Sequence, residues 1–314
     1  MLQILLGAIS LGLLWAIMTI GVYITYRILD IADLTVEGSI AMGAAISAKI
    51  ISSGGNPFAA SVIALLGGMI AGLVTGLLHT KLKIPALLSG ILTMIALYSI
   101  NLHIMEKANI SLLRMDTIYT PFENMGMNHM NAVMLLGSIC VIGVVGILYW
   151  FFGTEVGCAI RATGNNPQMA RAQGINTNNM IILGLILSNG LVAFCGALIA
   201  QNQSFADVQM GIGSIVIGLA SVIIGEVLFG KRSFINRLIS LVLGAVTYRI
   251  IIALVLKMGM PANDLKLFTA ITVAVALSLP VCRAYLLPLK KSISGRPQDS
   301  ISEESADAVN QRSV

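Results

Sequence analysis

A chain of 314 residues that is 57% hydrophobic and 11% charged, with a mean hydropathy of +0.90, lies far from soluble composition, which averages ~45–50% apolar and ~25% charged. This balance excludes a disordered chain, a disulfide scaffold and an ordinary soluble enzyme, and leaves a polytopic integral membrane protein. The net charge of +5 would suggest nucleic acid in a soluble protein. Here the basic residues cluster in short loops, where they orient helices, so the lipid bilayer is the expected partner and nucleic acid is not.

In chain order, nothing charged precedes Arg27. Residues 4–26 therefore lack the basic flank and short apolar core of a removable signal and read as a first spanning helix, for which ~20 residues suffice. Further spans are expected near 38–52, 57–80, 84–105, 131–152, 180–200, 212–230, 237–256 and 267–288. The predicted fold is thus an all-α polytopic membrane protein of about nine transmembrane helices. The second span is short and follows the polar run from Asp30 to Gly38; such a segment cannot face lipid and must line a cavity or be covered by protein. Residues 1–291 form the expected membrane domain, with a large loop at 153–179. From Ser292 to the end the chain is polar and is expected to be a disordered tail.

Charge sets the orientation. With the 153–179 loop inside the cell and alternation outward from it, thirteen of the 19 basic residues fall inside and five outside, with Arg249 within a span. The inner set includes Arg27, Lys81, Lys83, Arg161, Arg171, Lys231, Arg232 and Arg237; the outer set is Lys49, Lys107, Arg114, Lys257 and Lys266. The positive-inside rule then predicts an outer N-terminus and a cytoplasmic C-terminus.

Two segments resemble one another. Ala32-Asp-Leu-Thr-Val-Glu37-Gly38-Ser39-Ile40 matches Ala206-Asp-Val-Gln-Met-Gly-Ile-Gly213-Ser214-Ile215 with one inserted residue, and each precedes a Gly/Ala-rich span. The expected topology puts them on opposite sides, the mark of an inverted repeat and a common plan of transporters.

The 153–179 loop carries the most specific pattern. Asn165-Asn166-Pro167 is a turn and helix-start signal, Met169 to Gln173 can form a short helix, and Gly174 suits a C-cap. The product is a compact helix–turn–helix facing the cytosol, a docking knob for a soluble partner. The series Gly157, Arg161, Ala162, Gly164, Asn165, Pro167, Ala170, Arg171, Gly174 closely resembles the cytoplasmic coupling loop of ABC-importer permeases for branched-chain amino acids and ribose. The Ala206–Gly225 stretch is similar to that family's late glycine-rich helix. The run Leu29 to Ser39 resembles a sub-branch whose described members import tryptophan or tyrosine, and some related solutes.

This resemblance implies a homodimeric permease in a bacterial cell membrane. It also implies two cytosolic ABC ATPases that each receive one coupling loop, and an extracytoplasmic substrate-binding protein. ATP and Mg would be used by the ATPase, with no cofactor on this chain. The loop residues would couple movement rather than catalyse. Arg161 and Arg171 are candidates for charge-assisted bonds to acidic ATPase groups, or for anchoring the loop to its own chain. The solute implied is a small molecule of the amino-acid class, aromatic members included.

A near-match to a phosphate-binding loop, Gly225 to Arg232, fails because Arg232 stands where a hydroxyl must hold magnesium and no strand precedes it. The remaining candidates are ionisable groups at membrane depth, which are costly and usually face a bundle interior. Asp33 and Glu37, with Gly38 and Ser39, open the short span and either line the pathway or brace a broken helix; capping also accounts for Asp33. Gly213 and Ser214 are their counterparts in the second copy. Glu226 either lines the pathway or simply reaches the inner surface, and Arg249 either faces the interior or snorkels outward. The doubled GxxxG of Gly68, Gly72 and Gly76 favours close helix contact within one subunit.

The three histidines and four cysteines show no metal-ligand spacing, and the cysteines read as small buried hydrophobes. A membrane enzyme would want a paired acid and base or a metal constellation, which the sequence lacks. The alternative of a secondary transporter accounts for the repeat and the charges but not for the patterned loop.

Overall fold

Helix α1 (Leu2–Tyr23) runs on into five residues of π-helix (Ile24–Ile28). After a six-residue link come α2 (Thr35–Ser52), α3 (Pro57–Thr80) and α4 (Ala86–Met105). A strand β1 (Asn109–Ser111) and a single-turn helix α5 (Thr120–Asn124) lead to α6 (His129–Gly153). The short α7 (Glu155–Asn165) and α8 (Pro167–Ala172) precede α9 (Thr177–Gln203), strand β2 (Phe205–Asp207), α10 (Ser214–Phe229) and α11 (Phe234–Lys257). The computed structural model describes residues 2–230 and 233–257 and the single positions 267, 270, 271, 274 and 278. It falls into two units, Met1–Val273 and Ala274–Val314, and all that follows concerns the first.

Among the described residues, six helices are long and apolar enough to cross a membrane: α1 with its extension, α3, α4, α6, α9 and α11. The eight spans expected up to residue 256 each coincide with a helix, but α2 has only 18 residues and α10 only 16. Of the expected span at 267–288 only those single positions are described, and Cys282, Lys231, Arg232 and the tail from Ser292 lie outside the described residues. Helix α3 starts where the sequence marks it, since Asn56 accepts the Phe58 N–H at 2.8 Å and Pro57 takes the first helical position.

Helix α9 is the centre of the bundle and packs on α1, α2 and α3. In lipid no hydrophobic force draws helices together, so close backbone approach and buried polar contacts must do it. The α3–α9 seam has this form. A Cβ on Gly68 would lie 2.3 Å from the Asn189 carbonyl oxygen and one on Gly72 2.3 Å from that of Leu185, while Gly76 meets Ile182. The doubled GxxxG is therefore an intrachain seam, as expected. Where α2 crosses α9, Gly43 faces the Ala193 carbonyl and Gly196 faces the Ile40 carbonyl.

The strictly all-α expectation is corrected at one place. Strands β1 and β2 pair antiparallel, with Asn109 opposite Asp207 and Ser111 opposite Phe205. Three-residue strands carry too little periodicity to be read from sequence. The surrounding segment 106–128 is also docked rather than loose. Gln201 on α9 accepts the Ile118 N–H at 2.9 Å and donates to Ser47 and Ser61 at 3.0 and 2.9 Å. The Tyr119 hydroxyl donates to the Leu198 carbonyl at 3.1 Å. Of the cysteines, Cys195 is buried as expected, Cys140 is half-buried, and Cys158 is exposed on α7.

Candidate functional site

The 153–179 loop folds as a knob built from caps and glycines. Thr154 caps α7 by accepting the Gly157 N–H, Asn166 caps α8 by accepting the Met169 N–H at 3.0 Å, and Asn176 caps α9. Pro167 occupies the first turn of α8, and Gly174 at φ +82° closes it with a left-handed residue. The expected short helix is thus present, begun two residues earlier at Pro167 because Asn166 supplies the cap.

Its base is set by contact. A Cβ at Gly164 would lie 1.7 Å from the Ile28 carbonyl oxygen, and one at Gly157 2.3 Å from that of Phe151. Helix α7 therefore rests directly on the π-helical end of α1 and on the end of α6. A π-turn is wider than an α-turn and recurs at functional sites; here it presents the Ile28 carbonyl to α7. Ala170 is buried under α8.

Both arginines of the motif are engaged within the chain. Arg161 donates to the Phe152 carbonyl at 2.8 Å and its guanidinium sits 5.3 Å from the Phe234 ring centre. Arg171 donates through Nε to the Thr177 hydroxyl at 2.8 Å. The residues that the knob presents outward include Ala162, Asn165, Gln168 and Met169, the methionine 59% exposed at the tip. Sequence reading missed Met169, although an apolar residue two places after a capped proline was available as a signal. Arg27, Arg161 and Arg237 line one cavity of about 520 Å³ beside this knob, and Lys83 and Arg171 line another.

The second candidate region joins the starts of the two short helices. Asp33 is 2% exposed. Its Oδ1 accepts the Thr35 N–H at 2.9 Å and its Oδ2 accepts the Asn189 amide at 2.8 Å. Asn189 in turn accepts the Ser39 hydroxyl at 2.7 Å, and Thr35 and Thr75 share a hydrogen bond of 2.8 Å. The geometry gives Asp33 a capping contact to Thr35 and a bracing contact to Asn189. It also starts α2 at Thr35 rather than residue 38. Asp207 repeats the local turn, its Oδ1 accepting the Gln209 N–H at 2.7 Å.

Helix α10 does not begin at the β1–β2 end. Segment 208–213 returns into the bundle until the backbone of Gly211 meets the Glu37 carbonyl, where a Cβ would stand 1.9 Å away. Glu37 Oε1 accepts the Gly213 N–H at 2.9 Å, so an acidic residue in the first turn of α2 caps α10. Gly38 presents its carbonyl to the Asn101 amide at 3.4 Å, and Ser214 is buried at the first position of α10. Asn101 and Asn189 were not singled out in the sequence. An amide inside an apolar span is the signal that would have found them, because such groups act as polar glue between helices.

The other two charges each have a partner within the chain. Glu226 accepts from Arg27 Nε at 3.2 Å, which ties α10 to the end of α1. Arg249 lies over the Trp15 ring, 4.1 Å from its centre. It faces α1 by a cation–π contact.

The chain matches, over residues 4–276, the family described as branched-chain amino acid transport system / permease component. It is 42% identical over 274 residues to the tyrosine transport system permease protein of Clostridioides difficile, covering 87% of this chain and 90% of the relative. It is 33% identical to an uncharacterized protein of Rickettsia prowazekii, covering 88% and 97%. It is 25% identical to a ribose import permease protein of Haemophilus influenzae, covering 73% and 71%. The matched region contains both the α7–α8 knob and the paired helix starts, and the chain belongs to this permease family as the multi-pass membrane component of an ABC transporter.

Proposed function

We propose that the chain is the permease of an importer, moving a small solute inward as a homodimer, with a separate ATPase docked on each α7–α8 knob. The observation that carries this reading is the knob itself: a rigid base fixed by Gly157, Gly164 and the two engaged arginines, with a solvent-facing tip of Asn165, Gln168 and Met169. An ATPase that moves on binding ATP can push the tip, and the close seat of Gly164 on Ile28 carries that movement into α1. In this role Arg161 and Arg171 stiffen the loop, while the tip makes the contact. ATP and Mg act on the ATPase.

The basic residues around the knob support a cytoplasmic position for it, with the β1–β2 end and the docked 106–128 segment turned outward to a substrate-binding protein. The N-terminus is then outside and the tail after residue 291 inside. The matching turns at Asp33 and Asp207, each followed by a short helix, support an inverted repeat within a nine-span domain of residues 1–291. The solute is an aromatic amino acid, tyrosine first, by similarity to the tyrosine transport relative.

Met169→Glu is the direct test. It buries no new charge within the chain, so membrane insertion should be retained. Co-purification of the ATPase and ATP-driven uptake should both be lost. Unchanged uptake by this variant would overturn the docking role. A ligand screen on the partner binding protein tests the solute; tight binding of a sugar and of no amino acid would refute it and leave the permease standing.

A further inference from the structure

A pocket of about 440 Å³ opens between α2, α4 and the segment that leads into α10. This is within the size range of small-molecule sites, and it sits where the starts of the two short helices meet, the kind of place where transporters hold a solute. Three of its residues define a chemistry. Glu37 spends Oε1 on the Gly213 N–H, and among the described residues no basic side chain lies within ion-pair distance of it. Asn101 is 1% exposed, and its Nδ2 is committed to the Gly38 carbonyl at 3.4 Å. With Nδ2 donating there, Asn101 Oδ1 is buried with no partner among the described residues. Tyr98 contributes an aromatic wall, and the remainder is apolar, including Met94, Val208 and Ile212.

An unpartnered buried carbonyl costs free energy until a donor reaches it. The two fixed polar atoms are both acceptors, one of them a carboxylate, so they select a group with several N–H donors and a positive charge. They repel a carboxylate or a phosphate. The apolar walls and the tyrosine ring disfavour a sugar, whose many hydroxyls would find no partners there, and suit an apolar or aromatic body stacked beside a cation. We propose that this pocket is a transient binding station for the ammonium end of an aromatic amine or amino acid, held by Glu37 and Asn101 with its ring against Tyr98. The identity of that solute class rests on the importer reading above. The station holds the solute by one end only, which suits a pathway in which release matters as much as binding.

The test uses the full-length chain in lipid nanodiscs, without binding protein or ATP. Ile95, on the rim of the pocket, is changed to cysteine, and its maleimide labelling is read above that of the parent protein. The probes are tyramine, which has the ammonium and no carboxylate, and 3-(4-hydroxyphenyl)propionate, which has the reverse. Tyramine should slow labelling and the propionate should not. Glu37→Gln keeps an acceptor for Gly213 and removes the charge, so the tyramine midpoint should rise about tenfold. Asn101→Asp adds a second negative charge and should lower it. A midpoint that is the same in Glu37→Gln, or equal protection by the propionate, overturns the proposal, as does no protection by tyramine. Because neither ATP nor binding protein is present, failure here leaves the importer reading intact, and failure of ATP-driven uptake leaves this result intact.

Discussion

The starts of α2 and α10 use the same device at different depths. Asp33 and Asp207 each accept the N–H two residues ahead, at 2.9 and 2.7 Å. After Asp33 the helix begins at once, and the carboxylate is enclosed by α9 and α4. After Asp207 the chain runs six more residues into the bundle before Ser214 begins α10, and the carboxylate stays near the surface beside β1. The buried start is held by its own Asp; the other is held by Glu37, reaching across from α2. Similar local sequence therefore produces the same turn, and what each turn is worth depends on how far it lies from water.

The largest effect should come from breaking the buried turn. Asp33→Ala leaves the Thr35 N–H uncapped and takes the carboxylate from Asn189, at a cost of about 2–4 kcal/mol. The apparent unfolding midpoint in detergent should fall sharply. The matched Asp207→Ala removes an exposed acceptor that water replaces, and should cost about 0.5–1 kcal/mol. Equal losses in the two variants would end the argument from depth.

Glycine chemistry sharpens the comparison at an intermediate level. Gly213 has φ +83°, a left-handed conformation that α2 does not need at its start. Gly213→Ala should cost about 1 kcal/mol through backbone strain alone. A loss near zero, measured in the same unfolding assay, would show that α10 can be capped another way.

The smallest effect is at the far end of α2, where Lys49 meets Glu106 at 2.8 Å in an exposed pair. The lysine ammonium holds the Glu106 carboxyl below the usual range. A depressed carboxyl contributes stability that is complete above the ordinary value of ~4.3 and fades as pH falls through the lower folded value. The difference between parent and Lys49→Met should thus be small at neutral pH, screened by salt, and absent once Glu106 is protonated. A difference that grows in acid would reverse the sign of this contact.

Much of the α7–α8 knob was legible because its signals are local. Asn166, Pro167 and Gly174 act on backbone groups within a few residues of themselves, so caps and stops can be read from spacing. The positions of eight described helices were legible for a similar reason, since apolar length is a property of contiguous residues, and six of them are long and apolar enough to cross a membrane. The partners of Asp33, Glu37 and Arg249 were not legible. Asn189 lies 156 residues from Asp33, and Gly213 lies 176 from Glu37.

The chain's sequence by itself determined that this is a membrane protein, where most helices lie, and which loop is built to be held rigid. Tertiary structure alone decided that both loop arginines are bonded within the chain, that Arg249 rests on Trp15, and that segment 208–213 dips to Glu37. It also decided that Asn101 keeps a free acceptor at the edge of a pocket. The physical reason is range. Capping and hydropathy act over a few residues or one helix, whereas a buried polar group in lipid must find its partner wherever the fold brings one within about 3 Å.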